Sequence, residues 1–280
     1  MTNLRKIFNE SIEALKRFSF IQTPETDARF IICETIGINL TGFHLERDSL
    51  IISPAMELKI KDNLKKRMNG ESVAEILGIK EFYGLDFEVD GAVLIPRPET
   101  ELLVDSILDR ISLEKEYNIL DIGAGSGAIS ITLALHLKKS TITALEISPE
   151  AVKILKKNIN RHKTNNISII NEDLYNFKPQ KAFDIIVSNP PYIKSQHVND
   201  LLESKSINDP RIALDGGVDG LDYYREIKKF SDKNLNRNGI VALEHGMGQR
   251  SDIINIFSNM KNEGLDDLAG IDRVILFKNT

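Results

Sequence analysis

The sequence predicts an α/β chain: a largely parallel sheet covered by helices on both faces, preceded by a small helical module and a β-hairpin. Three observations carry this expectation. Strand-like and helix-like periods alternate from Tyr117 onward, the pattern of a parallel sheet with crossover helices. Up to about residue 80 only helical spacing is present. Near Glu81 the texture changes to short β-prone pieces broken by glycine.

In the first module, Leu4, Ile7, Phe8, Ile12 and Leu15 recur at helical spacing. Thr23-Pro24 starts a second helix, with Thr23 as N-cap and Pro24 at the first helical position. Ala28, Ile31, Ile32 and Ile36 share its apolar face, and Gly37 ends it. Ser53-Pro54 starts another helix that stops at Asn69-Gly70. From Glu81 to Ile95 the β-prone pieces break at Gly84 and at Asp90-Gly91, and Asp-Gly between such runs is a hairpin signal. Pro96-Arg97-Pro98 closes this stretch, and Glu99 to Arg110 follows as a helix. Strands are predicted at 117–122, 141–146, 167–171, 183–188, 239–244 and 272–277, and helices at 128–138, 149–162, 221–236 and 249–261. The domain boundaries expected are 1–80 (helical), 81–97 (hairpin linker) and 98–280 (α/β). Residues 193–219 are long and polar for a loop in a compact domain, which points to function or disorder.

A chain of 280 residues suits about two domains. It is 41% hydrophobic and 28% charged, which excludes a largely disordered chain, a collagen or a coiled-coil rod. No apolar run approaches the ~18–20 residues of a membrane span. The first residues lack a signal core, and Glu10 and Glu13 speak against a transit peptide. A single cysteine, Cys33, cannot form an internal disulfide, so a reducing compartment, the cytoplasm, is expected. Cys33 sits beside Ile31 and Ile32 and is expected to pack as a small hydrophobe. The net charge of −5 argues against nucleic acid as the main partner, although it leaves room for a local basic patch. Lys59, Lys61, Lys65, Lys66 and Arg67 cluster on one helix and are expected to form a solvated face. The five histidines show no metal-ligand spacing, and no metal is expected.

Asn118 to Gly127 leaves a strand, turns on Gly123-Ala124-Gly125-Ser126-Gly127 and enters a helix. Glycines allow a sharp turn and close approach of a ligand, and a helix N-terminus adds free N–H groups. A tight strand–helix turn needs glycine anyway, so the loop alone is weak evidence. The next strand ends in Glu146, 19 residues after Gly127. In a doubly wound sheet that carboxylate lies across the crevice from the loop and can bond a ribose diol. The alternative is a solvated strand-end acid. NAD enzymes and S-adenosylmethionine methyltransferases both use this arrangement, but Gly-x-Gly-x-Gly departs from the dinucleotide spacing. After the third strand, Asp173 can accept from an adenine amino group and Leu174 can pack on its face; equally, Asp173 can close a turn.

Phe183 to Tyr192 is the most informative segment: a buried strand running into Asn189-Pro190-Pro191-Tyr192. Two prolines fix the backbone and remove two donors. Asn189 offers a carbonyl acceptor and two donors, and Tyr192 a flat ring. Together they suit a planar amide or amino group. Here the sequence resembles the amino-methyltransferases of the Asn-Pro-Pro-Tyr type, and more narrowly the peptide chain release factor glutamine methyltransferases (the PrmC/HemK family). Glu81-Phe82-Tyr83-Gly84, Pro96-Arg97-Pro98-Glu99-Thr100-Glu101, Leu243-Glu244-His245-Gly246 and Asp272-Arg273-Val274 carry the closer resemblance. Two departures stand out: Ser72 where proline is usual, and Leu174 where many relatives have an aromatic.

The resemblance implies a seven-stranded, mostly parallel Rossmann-like S-adenosylmethionine methyltransferase domain behind a helical domain that grips the substrate. It implies that Gly123 to Gly127, Glu146, Leu174 and Asn189 contact S-adenosylmethionine, and that Asn189, Pro190, Pro191 and Tyr192 hold the glutamine of a Gly-Gly-Gln loop in class I release factors. The residue types then supply a mechanism. The Asn189 side-chain oxygen and the Pro190 carbonyl accept the two N–H bonds of the target amide, with no strong general base required. A monomer with no direct nucleic-acid substrate and no membrane partner is expected. A DNA or RNA adenine N-methyltransferase is the competing reading, and a catalytically silent binding module a third.

Overall fold

The structure is a computed structural model and describes residues 2–204 and 209–280. The chain divides into two compact units. One is built on the residues up to Ile79 with a segment beginning at Asp200; the other comprises Lys80–Asn199 and Asp209–Thr280.

In the first unit β1 (Thr2–Asn3) pairs antiparallel with β2 (Ile51–Ile52). Around them pack α1 (Leu4–Leu15), α2 (Pro24–Ile36), α3 (Leu40–Glu46), α4 (Pro54–Met68) and α5 (Val73–Leu77). The apolar stripes of α1 and α2 meet Phe43, Ile60 and Leu64 in one core, which also buries Cys33. Ser53 caps α4 by accepting from the Met56 amide at 3.3 Å, and Gly37 ends α2 with φ 74°. Thr23 is the N-cap residue of α2 with Pro24 following it, as expected, but its hydroxyl donates to Asp27 Oδ1 at 2.8 Å and makes no side-chain cap bond to a backbone amide. Ser72, the departure from proline, starts α5 with a capping box: it accepts from the Glu75 amide while Glu75 Oε2 accepts from the Ser72 amide. Arg67 is not part of a solvated face. It is half-buried, donates to the buried Asp27 Oδ2 at 2.7 Å and reaches the Glu71 carbonyl at 3.1 Å.

The hairpin is β3 (Ile79–Phe82) and β4 (Leu85–Glu88). Its turn is Tyr83-Gly84, both at positive φ (56° and 72°), not the Asp90-Gly91 that the sequence favoured. Asp90 instead closes a separate loop by accepting from the Ala92 amide. Phe82 and Phe87 bury against the main sheet's core.

That sheet contains β5 (Asn118–Ile122), β6 (Thr141–Leu145), β7 (Ile167–Ile170), β8 (Phe183–Ser188), β9 (Leu235–Glu244), β10 (Lys261–Asp266) and β11 (Asp272–Lys278). The order is β10-β11-β9-β8-β5-β6-β7, with β11 antiparallel to both neighbours and the remaining pairs parallel. The helices are α6 (Glu101–Leu108), α7 (Ala128–His136), α8 (Pro149–His162), α9 (Ser195–Glu203), α10 (Asp222–Asn234) and α11 (Arg250–Ile256). Two apolar cores, one on each face, sandwich the sheet. From β5 the chain winds first to β6 and β7, then returns to β8 and β9 on the other side. That reversal opens a crevice at the carboxyl ends of β5, β6 and β8.

The described residues of the segment 193–219 carry regular structure. Beyond α9, Arg211–Ala213 form a short 3₁₀ turn, and Ile193 pairs with Asp215 in a parallel bridge. No helix among the described residues is long and apolar enough to cross a membrane.

Candidate active site

The glycine loop joins β5 to α7. Gly123, Gly125 and Gly127 all have positive φ (73°, 54° and 86°), so each is in the region that favours glycine. Their surroundings differ. A Cβ on Gly123 would meet nothing within 4 Å, and one on Gly125 only a carbonyl at 3.9 Å. A Cβ on Gly127 would collide with Leu155 and Ile131. Gly123 and Gly125 therefore border open space, whereas Gly127 lets α7 pack closely on α8. The Ala124 and Ser126 side chains are buried.

Most of the loop's N–H groups are already engaged. The Gly123 and Ala124 amides donate to the Leu145 carbonyl, and the Gly127 amide to the Ala124 carbonyl. Glu146 holds the loop from across the crevice: Oε2 accepts from the Gly125 amide at 2.8 Å, and Oε1 from the Ser148 amide at 2.8 Å. It is buried rather than solvated. A carboxylate has about four lone-pair sites, so two remain for a ligand. Asn158, wholly buried on α8, donates to the Ser126 and Glu88 carbonyls and accepts from the Glu88 amide, pinning the loop to the hairpin.

Beneath the loop lies Asp121, fully buried on β5. Oδ2 accepts from Ser130 Oγ at 2.5 Å, while Oδ1 has no partner. Burial pushes its pKa up to about 7, against the pull of the Ser130 bonds and with a push from Glu146. A carboxyl raised in the folded state contributes most stability below its ordinary range and loses it as pH rises through 7. Asp121→Asn, which cannot ionise, is therefore expected to raise the melting temperature above pH 7 relative to its own effect at pH 4. The gain has an upper bound on the order of 4 kcal/mol. Thermal melts from pH 4 to 9 check this, and a pH-independent effect would count against an ionised buried Asp121.

After β7, Asn171 donates to the Glu146 and Ile147 carbonyls and ties the two strand ends together. Asp173 closes a turn, with Oδ1 accepting from the Tyr175 amide and its carbonyl from the Asn176 and Phe177 amides. Leu174 is buried in the core with Ile122 and Leu145, and the exposed side chain next to it is Tyr175.

Asn189 to Tyr192 follow β8, whose last residue, Ser188, donates to the Ile122 carbonyl. The turn is braced on two sides. On one, Gln249 Nε2 donates to the Tyr192 and Gly220 carbonyls while Oε1 accepts from the Gly246 amide. Glycine is required here: a Cβ on Gly216 would lie 2.7 Å from the Pro191 carbonyl oxygen. On the other side, Asn189 Nδ2 donates to Thr100 Oγ1 at 3.2 Å, and Thr100 Oγ1 donates to Glu244 Oε2 at 2.6 Å. Thr100 and Glu244 are both buried. Burial pushes Glu244 up to about 7, opposed by Thr100, Arg273 and Asn189. Burial, then Glu244, pushes the Tyr192 phenol to about 12, so it is neutral.

The same contacts assign structural work to the motif before α6. Asp209 holds Arg97 Nη2 and accepts from the Ile95 amide at 3.0 Å. Glu101 Oε1 accepts from the Tyr83 amide at 2.8 Å, at the hairpin's left-handed turn. Sequence reasoning registered these residues as resemblance but not as parts of the site. Their signal was the motif itself, since no spacing rule brings Thr100 to Glu244 across 144 positions.

Two family profiles match: the PrmC N-terminal domain over residues 7–78 and the Methyltransferase small domain over residues 98–218. A release factor glutamine methyltransferase of Fusobacterium nucleatum is 36% identical, over 97% of this chain and 78% of its own. One of Agrobacterium fabrum is also 36% identical, over 96% of each chain. Among solved structures, a T. thermophilus 16S rRNA methyltransferase in complex with AdoMet and guanosine shares the fold. Its TM-score is 0.53 at 18% identity, covering 72% of this chain and 50% of that one. On identity sustained over almost its whole length, the chain belongs to the release factor glutamine methyltransferase family.

Proposed function

We propose that this chain methylates the side-chain amide nitrogen of the glutamine in the Gly-Gly-Gln motif of class I peptide chain release factors, supporting translation termination. The observation that carries the reading is the braced Asn189-Pro190-Pro191-Tyr192 turn at the carboxyl end of β8, beside the glycine-loop crevice. Supporting it is the family to which the chain belongs.

The residues present fit S-adenosylmethionine. Gly123 and Gly125 border space that a Cβ would otherwise occupy. Glu146 keeps free lone pairs after its two backbone bonds. The unpartnered Asp121 Oδ1 offers an acceptor beneath the loop. Gly123, Ala124, Gly125, Ser126, Gly127, Glu146, Asp173, Leu174 and Asn189 would frame the cofactor, the buried Ala124, Ser126 and Leu174 through backbone or as apolar wall. When bound, S-adenosylmethionine supplies an already activated methyl.

The chain's own residues do the orienting. An amide nitrogen is a weak nucleophile because its lone pair is delocalised. The Asn189 carbonyl oxygen and the Pro190 carbonyl oxygen, which accepts no backbone bond among the described residues, receive its two N–H groups. They hold it in one direction and stabilise positive charge as it develops. Pro191 stiffens the turn, and the neutral Tyr192 ring, seated against Gly246, lies beside the amide plane. All these residues belong to one chain, so the reaction requires only a monomer, acting where release factors act, in the cytoplasm.

The test is incubation with labelled S-adenosylmethionine and either an intact release factor or adenine-containing DNA and RNA. Label is expected on the factor's glutamine; label on nucleic acid alone would replace this reading with the adenine methyltransferase one. The helical domain, taken as residues 1–80, is proposed to recognise the release factor. A truncated chain beginning at Lys80 is expected to bind S-adenosylmethionine normally and to methylate the intact factor at least ~10-fold more slowly, the order of a lost 1.4 kcal/mol contact. A full rate would overturn that assignment.

A further inference from the structure

Glu244 is a carboxylate at the end of β9, 2% exposed, and no ion pair to it is present among the described residues. Burying such a group costs stability, and an apolar side chain would fill the same space at lower cost. The geometry around it gives it a use. Thr100 has one hydroxyl hydrogen, and it points to Glu244 Oε2 at 2.6 Å. Only lone pairs remain on Thr100 Oγ1 for its other neighbour, so the Asn189 group facing it at 3.2 Å must be the NH₂. The Asn189 carbonyl oxygen is then turned the other way, and no hydrogen bond to it is present among the described residues.

We propose that Thr100 and Glu244 are positioning residues that fix the direction of the Asn189 amide, presenting its oxygen as the acceptor for the substrate amide. The proposal rests on the reading of Asn189 as the residue that receives the glutamine. An ionised carboxylate can only accept, so it enforces the order Asn189 to Thr100 to Glu244. A protonated carboxyl can donate to Thr100, which frees the hydroxyl hydrogen for Asn189. The Asn189 amide can then turn over and show its NH₂ to another donor, the substrate nitrogen, with which it makes no bond.

Every element packed around Glu244 bears on its charge. Glu99, beside Thr100, and burial favour the proton; Arg273 on β11 opposes it, as do Thr100 and Asn189. Tyr192 and Tyr224 are neutral phenols raised partly by Glu244, and Tyr224 Oη donates to the Glu244 backbone carbonyl at 2.8 Å. The adjacent His245 is held below its ordinary value by burial, with its Nδ1 at 2.9 Å from the Gly246 carbonyl oxygen. Burial, opposed by Thr100, Arg273 and Asn189, puts the Glu244 titration at about 7.

The experiment measures single-turnover methylation of an intact release factor at saturating S-adenosylmethionine, from pH 6 to 9, with cofactor affinity measured by calorimetry. Thr100→Val keeps the shape and removes the relay. It is expected to slow the step at least ~10-fold, the order of one lost positioning contact, with cofactor affinity unchanged. Thr100→Ser restores the hydroxyl and should recover most of the rate, which a merely structural role for the threonine methyl would not allow. The wild-type rate should fall as pH drops through 7, and Glu244→Gln should lack that limb. Asp121 titrates in the same range, so the limb's persistence in Glu244→Gln would assign it elsewhere and overturn the proposal. If Glu244→Gln does not fold, the Thr100 pair decides alone: equal rates for Val and Ser overturn it. An Asn189→Ala variant with the wild-type rate would sink the site reading itself. An inactive Asn189→Ala beside a fully active Thr100→Val would sink only this inference.

Discussion

Asn189→Ala is expected to slow methyl transfer by ~10²–10³, the usual cost of removing one preorganised polar contact to a developing charge, while sparing most cofactor affinity. The substitution removes the acceptor proposed for the substrate amide and leaves the backbone of the turn braced by Gln249 and by glycines 216 and 220. Asn189→Asp is the sharper change. It keeps an acceptor oxygen and nearly the same volume. But the group facing Thr100 Oγ1 becomes an acceptor, and the only hydroxyl hydrogen there is already given to Glu244. Two lone pairs then oppose each other, and a second carboxylate is added close to a buried one. Asp should accordingly be as inactive as Ala at pH 8, where the relay direction is enforced. Single-turnover rates at saturating cofactor separate these outcomes. Substantial activity in Asn189→Asp at that pH would mean that the NH₂ bond to Thr100 is dispensable.

What sequence could and could not show about this site follows from the range of the interactions. The strand ends, the glycine loop and Asn189 to Tyr192 are local signals: a period of 2 or 3.6 and a run of backbone-fixing residues. Six of the seven sheet strands stood out in this way. The seventh, β10, was missed because Lys261-Asn262-Glu263-Gly264-Leu265-Asp266 is an exposed edge with no buried face to write alternation into it. The hairpin turn went to Asp90-Gly91 because a tyrosine at positive φ is not a local preference. Tyr83 is held there by Glu101, 18 residues away, and by its hydroxyl bond to Asp105. For the same reason Thr100, Glu244, Gln249 and Asn158 could be quoted or passed over but not given roles. Apart from Gly246, three positions from Gln249, the partners of their side chains lie 29 to 144 positions distant. Composition also misled in one place: Arg67 belongs to a basic run, yet it is the half-buried partner of the buried Asp27.

Glu146→Ala is expected to weaken S-adenosylmethionine binding at least ~10-fold, since a hydrogen bond to a charged group contributes about 1.5–3 kcal/mol. From sequence alone such a change should leave the fold intact. The geometry predicts more. Glu146 is also the anchor of the glycine loop, accepting from the Gly125 and Ser148 amides, so truncation leaves two amides without their acceptor. A lower melting temperature should therefore accompany the weaker binding, and affinity alone cannot tell a lost ligand contact from a loosened loop. A cofactor analogue separates them. If Glu146 bonds the ribose diol, wild-type protein should bind S-adenosylhomocysteine more tightly than its 2′,3′-dideoxy form, and Glu146→Ala should bind the two alike. If the carboxylate only anchors the loop, the variant should lose affinity for both forms by the same factor and keep the wild-type preference between them. Calorimetric affinities for the four combinations make this a double-mutant cycle in which the coupling term reports the ribose contact directly. A coupling near zero would return Glu146 to a structural role, and unchanged affinity throughout would remove it from the cofactor site.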